Sequence, residues 1–194
     1  MRALVAAILL GCLALVTGCA VEVGASKQSL AAARHVATEP PYVEVVSMVD
    51  RRDGRAAHTA LIINASERVI YDPAGTFQHE DLAERGDIHY GATDRMVSYY
   101  ERYHARFSHF VHVQRIPVTA QVAEGVLRRA EAQGPSPKMF CTYHTFGVLN
   151  DSLPGVTLER SFFPEALRRQ VADLPGVADR YRVEEDREKA VPTG

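Results

Sequence analysis

The N-terminal end of the chain constrains folding most, because it decides where the protein folds and which thiols take part. Arg2 precedes an unbroken apolar run over residues 3–16, and small residues lead from this run to Cys19. A charged start, an apolar run and a small-residue end are typical of a secretory signal peptide. A run of about fourteen apolar residues is also shorter than the roughly twenty that a transmembrane helix needs. We therefore predict an exported protein whose signal peptide covers residues 1–18.

The end of this signal resembles a bacterial lipobox, with the sequence Leu15-Val-Thr-Gly-Cys19. The resemblance implies a diacylglycerol group on the Cys19 sulfur, and a mature chain that is anchored to a membrane by this lipid without spanning it. We expect the protein in the bacterial cell envelope, facing the periplasm. Ala20 follows Cys19, and the lack of an aspartate there favours the outer membrane. Residues 19–40 show no clear periodicity and are interpreted as a tether.

Cysteine usage singles out Cys141. Cys12 lies in the predicted signal peptide and Cys19 carries the predicted anchor, so Cys141 is the only thiol of the predicted folded part. No disulfide can then form within that part, and an unpaired thiol in an oxidising compartment is a liability unless it is buried or used. The net charge of −2 shows no basic excess, and we expect no nucleic-acid partner.

The pattern of strands and helices predicts one α+β domain over residues 41–176, with an antiparallel sheet packed against helices, followed by a charged tail over residues 177–194. β-Branched runs bounded by turn residues predict strands over residues 42–49, 57–63, 68–71 and 110–118, the second and third forming a hairpin. Helical patterns occur around Met96 to Phe107, over residues 119–133, from about residue 140 to residue 152, and over residues 164–174. A short strand is expected around Tyr181 to Val183.

Three residues of this pattern have the chemistry of a nucleophilic site. Cys141 opens a predicted helix, where unpaired N–H groups and the helix dipole stabilise a thiolate and an oxyanion. His58 is the titratable residue at the start of the apolar strand His58–Ile63, and it fits the role of the base. If the hairpin loop covers residues 64–66, Asp72 lies opposite His58 and would orient its ring. His79 and His89 remain alternatives for this orienting position.

A second cluster invites a metal interpretation, because Glu101 and His104 are three apart on a predicted helix and can both reach one ion. His109 and His112, however, are three apart in a predicted strand and point to opposite faces. We expect no metal and no cofactor. The helical stripe of aromatic residues that includes Tyr100 is expected to pack in the core.

The order of histidine, acid and cysteine resembles the circularly permuted papain-like group, which includes NlpC-type peptidases, YiiX-like bacterial proteins and lecithin retinol acyltransferase-like proteins. The resemblance covers roughly residues 57–150 and rests on the segments His58-Thr-Ala-Leu-Ile-Ile, Val69-Ile-Tyr-Asp-Pro-Ala-Gly and Phe140-Cys-Thr-Tyr-His-Thr-Phe. It implies a permuted papain-like core with Cys141 as nucleophile, His58 as base and Asp72 as the third polar residue. NlpC-type peptidases usually carry aspartate directly before the cysteine, whereas Phe140 stands here.

The resemblance implies a cysteine hydrolase, an amidase or peptidase, or an acyltransferase that acts on an amide or ester carbonyl. Peptides of peptidoglycan and lipid acyl groups are the expected substrates. The alternative is a non-catalytic envelope lipoprotein that uses the same fold as a binding or structural module, with Cys141 buried and inert.

Overall fold

The computed structural model describes residues 24–184. The predicted signal peptide over residues 1–18, the predicted lipid site at Cys19 and the last ten residues of the predicted tail lie outside the described residues. Within the described range, no helix combines the length and the apolar character that a membrane crossing requires.

The centre of the molecule is a seven-stranded sheet whose neighbouring strands all run antiparallel. Its strands are β1 Tyr42–Asp50, β2 Ala56–Asn64, β3 Arg68–Tyr71, β4 Ala83–Arg85, β5 Ile88–Tyr90, β6 His109–Pro117 and β7 Ala178–Arg182. The order across the sheet is β4-β5-β3-β2-β1-β6-β7. The long strands β1 and β2 therefore lie in the middle, where helices cover both of their faces.

Within residues 24–184, five helices accompany the sheet: α1 Lys27–Ala33, α2 Asp94–His104, α3 Ala120–Gln133, α4 Cys141–Asn150 and α5 Pro164–Ala172. Because successive side chains of a strand point to opposite faces of the sheet, a separate hydrophobic core forms on each face. Leu61 and Ile63 of β2 face the core that contains buried residues of α3, α4 and α5, whereas Ala60 and Ile62 face the core that contains Met96 of α2. Each fully buried leucine, isoleucine or methionine side chain contributes about 1.5–3 kcal/mol. The α+β class with an antiparallel sheet is confirmed.

Two features of the predicted elements are corrected. No strand was predicted between Asp72 and Gly91, but this stretch contains the short strands β4 and β5. The helical stripe was expected to reach Phe107, but α2 ends at His104 because Ala105 adopts an extended conformation as the chain turns into β6. Phe107 is consequently 51% exposed.

The two ends of the described chain both lie against the sheet. In the segment interpreted as a tether, α1 is formed, the Ala25 N–H donates to the Glu84 carbonyl over 2.7 Å, and the Arg68 N–H donates to the carbonyl of His35 over 2.8 Å. In the predicted tail, β7 pairs with β6. The expected short strand is therefore present, a few residues earlier than predicted, while the domain boundaries themselves stay a prediction.

Candidate active site

His58 and Asp72 meet at the open end of the β2–β3 hairpin. His58 Nε2 lies 2.6 Å from Asp72 Oδ1, and the Asp72 side chain is 1% exposed whereas that of His58 is 22% exposed. The predicted register is wrong: Leu61 pairs with Tyr71, two residues further along β3 than expected, because the loop covers residues 65–67. A shift of two residues keeps side chains on the same face. Asp72 therefore reaches His58 diagonally.

A tight turn after β3 holds the Asp72 carboxylate in place. The Asp72 N–H donates to the Asp87 carbonyl over 2.8 Å, and the Gly75 N–H donates to the Asp72 carbonyl over 3.0 Å. Ala74, between them, has a φ of +58°. A Cβ atom on Gly75 would lie 2.0 Å from Asp72 Oδ2, so only glycine allows the backbone to approach the carboxylate this closely.

Cys141 is the first residue of α4, a free thiol that is buried with 7% exposure. The first intrahelical hydrogen bond runs from the His144 N–H to the Phe140 carbonyl over 3.0 Å, and Phe140 gives no side-chain cap. The N–H groups of the first turn therefore have no carbonyl within the helix. Met139, two residues before the thiol, is 84% exposed and has a φ of +71°, a strained conformation for a residue with a side chain.

The Cys141 sulfur and the His58 imidazole shift each other's pKa. Burial by itself would raise the pKa of the Cys141 thiol, but a hydrogen bond with His58 and the imidazolium charge lower it, together with the Thr142 hydroxyl and the Thr59 N–H. Burial disfavours the His58 imidazolium as well, but the Asp72 carboxylate and the Cys141 sulfur raise the pKa of His58 to about 10. Both shifts favour the pair of a thiolate and an imidazolium over the neutral thiol and imidazole.

The β2–β3 ladder explains how the sulfur reaches Thr59. Pairing with β3 covers only Leu61 to Asn64, so β2 continues past the end of β3 toward Ala56. The Cys141 sulfur lies beside this overhang, and the Thr59 N–H is one of the groups that lower the pKa of its thiol. His58 Nε2 is bound to Asp72, which leaves Nδ1 as the ring nitrogen for the sulfur.

A second imidazole supports the first. The rings of His104 and His58 stack with centroids 6.2 Å apart and planes at 23°. His104 Nδ1–H donates to the Tyr100 carbonyl over 3.0 Å, and burial lowers the pKa of His104 to about 4. A neutral His104 can therefore pack against the His58 imidazolium without repelling it.

Asp87, in the turn between β4 and β5, joins the two loops of the site. Asp87 Oδ2 accepts the Ala74 N–H over 3.1 Å in the loop after Asp72, and the Ser136 N–H over 2.7 Å in the loop that leads to Cys141. No pattern in the sequence singled out Asp87. Its only local signal is the Gly86-Asp87 pair, which is typical of a turn.

A cavity of about 340 Å³ opens beside His58. Its wall includes His58 and Gly75 from the site, Tyr103 from the last turn of α2, Arg106 from the connection after it, and His109 from the start of β6. Cys141 does not line this cavity. The histidine side of the site is therefore the side that opens into the cavity.

The other candidate residues lie elsewhere. His79 Nδ1 accepts the Asp81 N–H over 3.1 Å, and His89 is buried in β5, so Asp72 is the candidate that hydrogen-bonds His58. Of the metal candidates, Glu101 binds Arg180 over 2.6 Å and His112 binds Asp179 over 2.6 Å. In residues 24–184 no three His, Cys, Asp or Glu side chains are grouped to hold a metal ion.

Comparison of the chain with protein-family models, with curated proteins and with solved structures finds no match.

Proposed function

We propose that the protein is a membrane-anchored cysteine hydrolase of the cell envelope, with a permuted papain-like core, that cleaves an amide or ester bond through Cys141, His58 and Asp72. One observation supports this most: the imidazole of His58 hydrogen-bonds a buried carboxylate, lowers the pKa of the Cys141 thiol and lies on the wall of a cavity. Nucleophile, base and orienting acid in this geometry are the parts that acyl transfer needs.

The reaction follows from this arrangement. The Cys141 thiolate attacks the carbonyl carbon, and the N–H groups at the start of α4 stabilise the negative charge that develops on the oxygen. The carbon–nitrogen or carbon–oxygen bond then breaks, and His58 donates its proton to the leaving amine or alcohol. Water, deprotonated by His58, attacks the resulting thioester, releases the carboxylic acid and restores Cys141. An acceptor other than water would turn the hydrolase into an acyltransferase.

The surface at the start of α4 indicates which kind of acyl group the site would accept. Phe162 packs against Phe140 and Tyr143, with ring centroids 5.2 and 4.9 Å apart. Phe162 and Met139 are both exposed. An apolar surface beside the nucleophile suits an apolar acyl group, whereas the envelope location expected from Cys19 suits a peptide of the cell wall.

The second candidate is the non-catalytic module, and the low exposure of Cys141 favours it. A buried structural thiol is unreactive, whereas a catalytic one is accessible as a thiolate. Thiol reactivity therefore separates the two functions.

The test is the rate at which iodoacetamide alkylates Cys141 between pH 5 and pH 9. The protein is the mature chain with Cys19→Ser, so that Cys141 is its only cysteine. We expect alkylation well below the pH of about 8.5 at which ordinary cysteine ionises. His58→Ala and Asp72→Asn should move the profile to higher pH, because each removes part of the contact that lowers the pKa of the thiol. His79→Ala, in a loop that does not touch the sulfur, is the control.

If Cys141 in the folded wild type shows the alkylation profile of free cysteine, this result would contradict the cysteine hydrolase and favour the non-catalytic module. If the profile is shifted as expected, a screen of peptide amides and acyl esters, with Cys141→Ala as the inactive control, identifies the bond that is cleaved.

A further inference from the structure

The cavity beside His58 contains a cationic side chain, Arg106, that the proposed reaction does not use. It lies on the wall of the same space as His58 and His104. We propose that this cavity binds the leaving half of the substrate and that Arg106 binds a carboxylate on it. This inference rests on the proposed function and specifies its substrate class.

The position of His58 assigns the cavity to the leaving half. His58 is the residue that protonates the leaving atom, so this atom lies next to the imidazole when the bond breaks. The imidazole lines the cavity, whereas the sulfur and the first turn of α4 do not. The acyl half stays with the sulfur as the thioester. The group that departs is therefore the one that occupies the cavity.

Arg106 is held in place without being neutralised. Its guanidinium lies over the Tyr103 ring, 4.9 Å from the ring centroid, a contact that attracts the cation and leaves its charge in place. In the part of the chain from residue 24 to residue 184, no carboxylate forms an ion pair with Arg106. A guanidinium also presents the planar pair of donors that fits a carboxylate.

The charges around the cavity make this cation necessary for an anionic substrate. The reactive state of the site carries two negative groups, the Cys141 thiolate and the Asp72 carboxylate, against one His58 imidazolium. The pKa of His104 is lowered to about 4 by burial, so this ring adds no charge at neutral pH. An anion entering the cavity would be repelled by the site alone, and Arg106 offsets this repulsion.

The substrates we infer are amides or esters whose leaving amine or alcohol carries a free carboxylate, such as an amide formed on the nitrogen of a C-terminal amino acid. The same amide with a neutral carboxamide in place of the carboxylate would be a poorer substrate, because it leaves Arg106 unpaired.

A matched pair of alkylating agents tests this without requiring turnover. N-Bromoacetylglycine carries a carboxylate beyond its amide nitrogen, and N-bromoacetylglycinamide is its neutral counterpart. We expect the wild type to react faster with the anion, and Arg106→Gln to lower the ratio of the anion rate to the neutral rate about fivefold at low ionic strength. Arg106→Lys retains the charge without the planar donors, so its rate ratio should lie between those of the wild type and Arg106→Gln. The control is Arg128→Gln on α3, a charge change of the same size at a largely exposed side chain.

The outcomes separate the two proposals. If Cys141 reacts at pH 6 with the neutral reagent but the ratio is the same in wild type, Arg106→Gln and Arg128→Gln, the carboxylate site is overturned and the cysteine hydrolase stands. If Cys141 reacts with neither reagent below the pH at which free cysteine does, the hydrolase itself fails. A ratio that falls only in Arg106→Gln supports both.

Discussion

Gly75 shows how a single missing side chain shapes the candidate site. The carboxylate of Asp72 fills the space that a Cβ atom on this residue would need. Asp72 must occupy that space to hydrogen-bond His58 Nε2. The orientation of the imidazole, and with it the pKa of the Cys141 thiol, therefore depends on a residue that has no functional group.

We predict that Gly75→Ala impairs the site as strongly as Asp72→Asn does. The added methyl group would displace the carboxylate from His58, lower the pKa of His58 and raise that of Cys141. The expected result is loss of iodoacetamide alkylation at pH 6, measured by mass spectrometry. Gly125→Ala is the control, because a Cβ atom there meets nothing within 4 Å. Alkylation of Gly75→Ala at the wild-type rate would show that the turn yields without moving Asp72.

At the scale of elements, the site is an assembly of two loops that are far apart in the chain. One loop follows β3 and carries Asp72, and the other precedes α4 and carries Met139. Asp87 in the β4–β5 turn binds both loops through one carboxylate oxygen and binds Asp72 through its own carbonyl. This turn therefore fixes the distance between Asp72 and the helix α4 that carries Cys141.

We predict that Asp87→Ala lowers the rate of Cys141 alkylation at pH 6 by about tenfold, because the loss of two hydrogen bonds of about 1 kcal/mol each loosens both loops. Asp87→Asn should recover part of the rate, since asparagine keeps one acceptor and tolerates the positive φ of 64° at this position. The measurement is the pH profile of alkylation alongside urea unfolding. A variant that is less stable but has an unchanged profile would mean that Asp87 serves the fold alone.

At the scale of the whole molecule, the sheet separates the partners of the site. α4, which brings Cys141, packs on one face, whereas His58 faces the side covered by α2, and Asp72 reaches it there. The Cys141 sulfur and the His58 ring come together where β2 extends past the end of β3. A site of this kind exists only when both faces are packed, so its reactivity reports on the complete fold.

The last strand completes that fold through buried charges. Arg180 of β7 binds Glu44 of β1 over 3.1 Å and Glu101 of α2 over 2.6 Å, and both glutamates are almost fully buried. Within the predicted tail over residues 177–194, β7 is the short strand that was expected there, and it links the sheet to α2. Without β7, these two carboxylates would lose a cation that offsets the free-energy cost of burying their charge.

We predict that a chain that ends at Gly176 is less stable than one that ends at Glu184, by about 3 kcal/mol, because the deletion removes Arg180 and Arg182, the cations that pair with the buried Glu101 carboxylate. Arg180→Gln, which keeps the strand, should show a smaller loss. The free energy of unfolding in urea, followed by far-ultraviolet circular dichroism, measures the difference. Equal stability of the two truncated chains would contradict the role given to β7.

The sequence alone determined those parts of the protein that depend on local pattern. Alternation and caps predicted the long strands, the helices that begin near Thr119 and Pro164, and the α+β class, because each follows from neighbours in the chain. Cys141 at a helix start and His58 at a strand start were found in the same way.

Only the tertiary structure decided how these residues meet. The register of Asp72 depended on a loop one residue away from the predicted one. The strands β4 and β5 are too short to show a pattern of alternating hydrophobicity. Asp87 acts through hydrogen bonds with residues that are distant in the chain. The pKa of Cys141 likewise follows from the charge of His58 and the place where β3 ends. Local propensity specifies elements, whereas hydrogen bonds and charges between elements exist only once the sheet and both layers of helices have packed together.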